Sequence, residues 1–337
     1  MRLLNIVVSC ELPGYLGNAL KSLKQLLPIG DTLVIENGRD LDRTKAVIKD
    51  AMPDAVLLGR GENRADRKVG SLYEAYNEGI EYGLERGYDL LHFIQDDMQW
   101  MWYRAGMMER IAEILQSNPS ISMVLPLFQK EIVATDFRRR AVPRPDLGTW
   151  EIDYGVADIG IMAVAFIRKT GFRFGSTEGE HSARVLKMGA RAHVLAAPMI
   201  SFVPWPAVWR GGQLVGPDLP LDGSLFLKPL NESQIDRLLA AAKSFDVVCA
   251  DEYCLPSQGK VLWPYWFTEC TPEYLSRVFR WWRQTGKRPR WVGSGAGRAR
   301  RPTPKQASAI LATPLGFRLL DAIRRHGMAG VLTRLFK

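Results

Sequence analysis

Over the first two hundred residues, short continuous apolar runs alternate with longer stretches whose apolar positions recur at helical spacing. Residues 5–9, with Ile6-Val7-Val8 at their centre, predict a buried strand. Residues 15–27 then place Leu16, Leu20, Leu23, Leu26 and Leu27 on one helical face and stop at Pro28 and Gly30. Residues 31–36 predict a second strand running into a polar Asn37-Gly38 turn, 45–51 a helix, and 55–58 a third, short strand. Residues 70–80 read as a helix whose small residues Ala75 and Gly79 stand four apart, a spacing that allows close packing on a sheet or a ligand. An apolar run from Leu90 to Ile94 follows, ending in Gln95-Asp96-Asp97. Beyond it the pattern predicts a helix at 107–115, a strand at 121–127 running along one edge, a mobile loop at 129–150, and a strand at 157–167. A helix at 178–188 closed by Gly189, strands at 192–195 and 200–203, and a helix at 232–243 complete it. Such alternation predicts an α/β fold with a parallel sheet joined by right-handed crossovers.

With 337 residues, 47% apolar and 24% charged, the chain can bury a full α/β core and still carry a second module. Met1 to Cys10 has one Arg and too short an apolar run for a secretory leader, and no run of roughly 18 apolar residues predicts a membrane span. The four cysteines, Cys10, Cys249, Cys254 and Cys270, form no CxxC pair and have no His at zinc spacing, which predicts structural thiols in a reducing cytoplasm. Charge is lopsided: residues 271–337 hold 15 Lys and Arg against 2 acids, whereas residues 1–270 hold 30 against 34. The basic character therefore belongs to the tail.

Asp96 and Asp97 carry the first candidate chemistry. Acids at the C-terminal end of a strand lie where open α/β sheets bind ligands. Adjacent side chains of a regular strand point to opposite faces, so both reach one ligand only if the strand breaks there. A hard divalent cation, held by one or two carboxylates and by diphosphate oxygens, would use such a pair. Alternatively, the two acids cap a helix beginning near Trp102.

In order and spacing the first 205 or so residues resemble the family-2 glycosyltransferases of GT-A fold. The resemblance rests on the turn and helix after the first strand at Ser9 to Leu20, Glu36-Asn37-Gly38-Arg39-Asp40 after the second, Gly70, Ala75, Asn77 and Gly79 on the helix before the acids, and Glu178 followed by Arg184 and Gly189. It implies a Rossmann-like, mostly parallel sheet flanked by helices, a nucleotide-diphospho-sugar donor, a Mg²⁺ or Mn²⁺ ion at Asp97 and Asp96, and transfer with inversion to a glycan or lipid-linked acceptor in cell-surface polysaccharide synthesis. Donor contacts then fall to Ser9, Glu36, Asn37, Arg67, Lys68, Asn77, Gln95 and Asp96. Glu178 falls at the position of the catalytic base, with Glu180 as its rival; a helix-start acid favoured by the dipole is the plainer reading of Glu178. The chain departs from the family in Gln95 at the first motif acid, in Thr177 at the acid before Glu178, and in having no His after the strand at 200–203. His181 and His193 are the nearby alternatives, and His193, beside an apolar strand, reads as a core residue.

Three segments are expected: a catalytic domain at 1–205, an acceptor-side extension at 206–270, and a basic aromatic and amphipathic helical tail at 271–337. In the tail, Trp281-Trp282-Arg283 and Lys287-Arg288-Pro289-Arg290-Trp291 interleave indoles with cations, and Leu315, Leu319 and Ile323 oppose Arg318, Arg324 and Arg325. This fits an anionic membrane surface, which would place a cytoplasmic enzyme on the inner face of the cell membrane, or a helix docked on the catalytic domain. Nucleic acid is disfavoured, because the body lacks basic character and no nucleic-acid motif is present. Rival functions are a sugar-nucleotide nucleotidyltransferase, which needs a basic phosphate loop where Cys10-Glu11-Leu12-Pro13-Gly14 stands, and a non-catalytic carbohydrate or membrane-surface binding protein.

Overall fold

The computed structural model describes residues 1–38, 41–59, 72–129, 137–203, 208–210, 213–215, 224–255 and 257. All belong to the unit Met1–Gln258. Arg67, Lys68, Gly70 and the basic tail lie outside the described residues.

Strand β1 (Leu3–Ser9) is buried along its whole length. It leads into α1 (Pro13–Leu26), begun by a proline whose fixed φ suits a first turn. Strands β2 (Asp31–Glu36) and β3 (Val56–Gly59) add in parallel on one side of β1, with α2 (Leu41–Ala51) between them. Helix α3 (Leu72–Glu85) then returns the chain to the other side of β1, where β4 (Leu90–Gln95) pairs in parallel. The small-residue stripe of α3 is what lets it sit down on the sheet. A Cβ on Gly79 would come within 2.7 Å of Ile6, and one on Gly83 within 2.5 Å of Leu91.

The nine-stranded sheet has the order β3-β2-β1-β4-β9-β6-β10-β8-β7, with β6 (Ile121–Leu125), β7 (Val142–Arg144), β8 (Thr149–Glu151), β9 (Gly160–Ala163) and β10 (Arg191–Leu195). It is mostly parallel, as the alternation predicts, but β9 is antiparallel to both β4 and β6, and β8 and β7 form an antiparallel edge. The strand expected at 157–167 is therefore shorter and turns at Val164 into α5 (Val164–Thr170). Gly160 permits the insertion: its φ is +149°, and a Cβ there would meet Met123 at 2.7 Å. Strand β6, expected along an edge, is interior, flanked by β9 and β10. Where a mobile loop was expected, residues 137–140 are helical and β7 and β8 follow, with Thr149 and Trp150 buried. Arg140 pairs with Asp153, and Arg144 with Asp146 and Glu151, so these cations are engaged at the sheet edge.

Asp96 and Asp97 form a turn between β4 and the short β5 (Met98–Trp100), which pairs with β11 (Ile200–Phe202). The helix that they were expected to cap begins later, as α4 (Met107–Ser117), and its N-cap is Gly106. Helix α6 (Glu178–Lys187) precedes β10. A short hairpin, β12 (Val208–Arg210) and β13 (Gln213–Val215), precedes α7 (Glu232–Lys243), which a capping box of Asn231 and Gln234 opens; α8 (Ala250–Tyr253) follows. Residues before α7 are strapped to the body by Gln99, whose amide bonds both the N–H and the carbonyl of Leu227. The two interior histidines on strands are core residues. His92 is fully buried against Asn5, and burial pushes its imidazole down to about 3. His193 is buried against the Thr149 hydroxyl at 2.8 Å.

Candidate functional site

The strand order reverses between β1 and β4, and the register makes their ends level: Ser9 lies opposite Glu36, and Val8 opposite Gln95. One rim thus collects Ser9, Glu36, Asn37, Gln95, Asp96 and Asp97 at the crevice where open α/β sheets bind ligands. Backbone bonds lock it, from Asn37 N–H to the Ser9 carbonyl at 2.8 Å and from Asp96 N–H to the Val8 carbonyl at 3.1 Å. Because β4 has ended by Asp96, the condition for two neighbouring acids to serve one ligand is met.

Glu36 is 1% exposed and its carboxylate is fully engaged by the protein. Oε1 accepts the N–H groups of Gly38 at 2.6 Å and Glu11 at 3.1 Å, and Oε2 accepts the Thr44 hydroxyl at 2.8 Å. Glu11 takes a left-handed φ of +57° to make this contact, a cost seldom borne by a residue with a side chain unless its surroundings impose it. Glu36 therefore straps the loops after β1 and β2 together. Burial pushes its carboxyl up, while the three hydrogen bonds pull it back. Asp96 is likewise buried and accepts the Cys10 N–H at 3.3 Å. Its carboxyl is driven well above the ordinary range by burial first, then by the charges of Asp97 and Glu36. An incoming cation would reverse that penalty.

A second acidic group lies on the far side of β4. Because β9 is antiparallel, the residues before it stand at the same rim, and this brings Asp158 there. Asp158 accepts the Tyr73 hydroxyl at 3.3 Å, and its other oxygen lies 3.7 Å from Nε2 of the buried His181. Nδ1 of His181 accepts the Gly175 N–H, so in the neutral ring the proton sits on Nε2, toward Asp158. Glu178, in the first turn of α6, is half-buried; burial and then Asp158 push its carboxyl up, opposed by His181. Thr177 stands where an acid was expected because it is the N-cap, its hydroxyl accepting the Glu180 N–H at 3.2 Å. Glu180 is exposed and bonds back to the Ser176 N–H, one residue ahead of the N-cap, at 2.9 Å.

Tyr76 joins the two groups. Its ring packs edge-on against Phe93 and tilted against Phe174, and its buried hydroxyl is raised by burial and by the charges of Asp158, Asp97 and Asp96 together. Asn77 grips the backbone of Phe174 from both sides, accepting its N–H at 2.8 Å and donating to its carbonyl at 3.1 Å. It acts on the loop that delivers α6. Sequence reasoning missed Asp158, Tyr73, Tyr76 and Thr44. The one signal for Asp158 is an acid two residues ahead of the glycine that opens an apolar run.

No family model and no curated protein matches the chain. Among solved structures it is similar to glucosyl-3-phosphoglycerate synthase from Mycobacterium tuberculosis in complex with uridine-diphosphate, at 14% identity over 78% of this chain and 85% of that one, TM-score 0.38. It is also similar to mannosyl-3-phosphoglycerate synthase from Rubrobacter xylanophilus, at 15% identity over 43% of this chain and 44% of that one, TM-score 0.28, so it spans less than half of that protein. A third is 4-diphosphocytidyl-2C-methyl-D-erythritol synthase, at 12% identity over 58% of this chain and 87% of that one, TM-score 0.34. These likenesses are distant, and function has to be argued from the chain's own strand order and side chains.

Proposed function

We propose that the protein is an inverting glycosyltransferase of GT-A type, moving a sugar from a nucleoside-diphospho-sugar to a hydroxyl of a glycan or lipid-linked acceptor. The observation that carries this reading is the convergence of two unlike acidic groups on one rim at the strand-order reversal. One is the buried Asp96 beside the half-buried Asp97, suited to a cation, and the other holds a half-buried carboxylate suited to a proton.

The described residues contain no cluster of three or more metal-ligating side chains. Asp96 and Asp97 alone therefore fit a cation that arrives with diphosphate oxygens, as Mg²⁺ and Mn²⁺ do, better than a resident ion in a protein cage. When bound there, the ion would neutralise charge on the departing diphosphate. Glu178 takes the proton of the acceptor hydroxyl as its oxygen attacks the anomeric carbon, and the bond to the nucleoside diphosphate breaks on the opposite face. Glu36 shapes the nucleoside end of the crevice through the loops it straps. The nucleotidyltransferase rival is disfavoured, since the loop after β1 presents Glu11 where that chemistry needs a cation.

Residues 271–337 then tether the enzyme to an anionic membrane near its acceptor. Among the described residues no helix is long and apolar enough to cross a membrane. The deciding experiment is a panel of nucleotide-sugars with candidate acceptors and Mn²⁺, read by release of free nucleoside diphosphate. Turnover of a nucleotide-sugar that requires acceptor supports the reading. Conversion of the nucleotide-sugar and added pyrophosphate to nucleoside triphosphate and sugar 1-phosphate, with no acceptor-dependent release of nucleoside diphosphate, rejects it.

A further inference from the structure

Asp158 is tied to the N-terminal end of α6 through the side chains of Tyr73 and His181. The Tyr73 hydroxyl donates to Oδ2 of Asp158 at 3.3 Å while its ring lies against His181, so a single phenol links the acid to the helix face that carries Glu178 one turn earlier. The phenol is itself held: its ring stacks on Phe174 with centroids 6.0 Å apart and meets His181 edge-on at 4.8 Å. On its other side Asp158 faces Nε2 of His181, whose ring is fixed by the Gly175 N–H and by an edge contact with Phe174 at 5.0 Å. Oδ1 of Asp158 and Nε2 of His181 are both buried and lack a hydrogen-bond partner, which is costly unless the pair closes or is held apart for a purpose. Four elements thus converge on Asp158: α3, the loop before β9, the loop before α6, and α6.

We propose that Asp158 is a positioning residue for Glu178, a negative charge fixed by Tyr73 and His181 that keeps the proposed base strong and correctly placed. The inference rests on Glu178 being the base and adds a residue to that same site. The groups facing Glu178 are Asp158 from the loop before β9, Tyr73 from α3, Tyr154 from the segment after β8, and His181 from its own helix. Of these, Asp158 is the one that adds negative charge. A negative neighbour disfavours ionisation of Glu178, so the base accepts a proton more readily once it is ionised. Replacing Asp158 by Asn keeps an acceptor for Tyr73 and removes the charge.

The test needs no substrate in its first arm. With ¹³C-labelled glutamate carboxyls, and Glu178→Gln identifying the resonance, Glu178 is titrated in the wild type, Asp158→Asn, Asp158→Glu and Tyr73→Phe. Glu178 is expected to titrate at lower pH in Asp158→Asn, to a lesser degree lower in Tyr73→Phe, and to return toward the wild-type position in Asp158→Glu. Burial remains in every variant and preserves part of the elevation. In the second arm, nucleoside diphosphate release by Asp158→Asn is expected to show its acid limb moved to lower pH, a severalfold lower plateau kcat, and an unchanged donor KM. A Glu178 titration that stays put in both Asp158→Asn and Tyr73→Phe overturns the positioning role whatever the activity. Undiminished transfer by Glu178→Gln overturns the base assignment alone, and leaves the carboxyl titration to stand by itself.

Discussion

The two acidic groups at the rim are built from opposite materials. Glu36 and Asp96, 1% and 8% exposed, are held mainly by backbone N–H groups of Gly38, Glu11 and Cys10, donors that exist because parallel strands end level with one another. Asp158 is held by side chains, those of Tyr73 and His181, and its own side chain is 23% exposed; Glu178 beside it is half-buried. A buried charge held by backbone dipoles cannot move away from its penalty, so it favours a positive partner that comes to it. A half-open carboxylate raised by a neighbour can exchange a proton with something that comes and goes. The proposed function assigns charge to one end of the crevice and proton transfer to the other, and this contrast is what sets them apart.

The largest effect tests the proton end. Glu178→Gln keeps the shape and hydrogen bonding of the first turn of α6 and removes the acceptor of the proton. Transfer is expected to fall by roughly 10²–10⁴-fold, the usual worth of a general base, with donor binding retained by thermal shift. Undiminished transfer would move proton acceptance away from this end of the crevice. Asp97→Ala addresses the charge end. It is expected to lower transfer by about 10²-fold or more and to abolish the stabilisation that Mn²⁺ gives the nucleoside diphosphate complex. If the Mn²⁺ response survives in Asp97→Ala, the division between the two ends collapses.

The placement of Asp96 and Asp97 at the rim was legible in the sequence, and that of Asp158 and Glu178 only in part. Backbone-built sites follow from strand order, and strand order follows from apolar runs separated by helices: the run 90–94 ending in two acids announces its own rim. The sequence also marks Glu178, through its spacing to Arg184 and Gly189. What it hides is Asp158, because placing it requires knowing that β9 runs antiparallel between β4 and β6. Nothing in the local pattern of Gly160-Ile161-Met162-Ala163 distinguishes a strand running up from one running down. Glu36 shows a structural use that the sequence does not announce. It was expected to receive the nucleotide directly, yet Thr44, Gly38 and Glu11 occupy its oxygens, and Thr44 lies on the next helix, where no motif points. Asn77, expected among the donor contacts, grips Phe174 in the loop that leads into α6.

A stability measurement sharpens the contrast at Glu36. Its carboxyl lies above the ordinary 4.5 in the folded protein, chiefly through burial. Between 4.5 and that raised value the folded protein retains a proton that the unfolded chain has released, so stability falls as pH rises through this window. Glu36→Gln keeps the oxygen that accepts Gly38 and Glu11, offers an amide to Thr44, and removes the ionisation. The variant is expected to melt above the wild type at pH 8, with the gap closing as the pH is lowered toward 4. A gap that is constant with pH would mean that the three hydrogen bonds balance burial there, and one that narrows as pH rises would mean that they outweigh it.

The smallest effect separates the two glutamates of α6. Glu180 is exposed and spends its carboxylate on the Ser176 N–H just ahead of α6, a contact whose loss water can replace. Glu180→Ala is expected to cost about 0.5–1 kcal/mol of stability by chemical denaturation and to leave the pH profile of transfer in place, with kcat within about twofold. Glu178 sits two positions away on the same turn, half-buried and in the field of Asp158. Were Glu180→Ala to lose transfer as severely as Glu178→Gln, the proton would have to leave through the exposed face of α6. Burial and the charge of Asp158 would then have no part in setting the base.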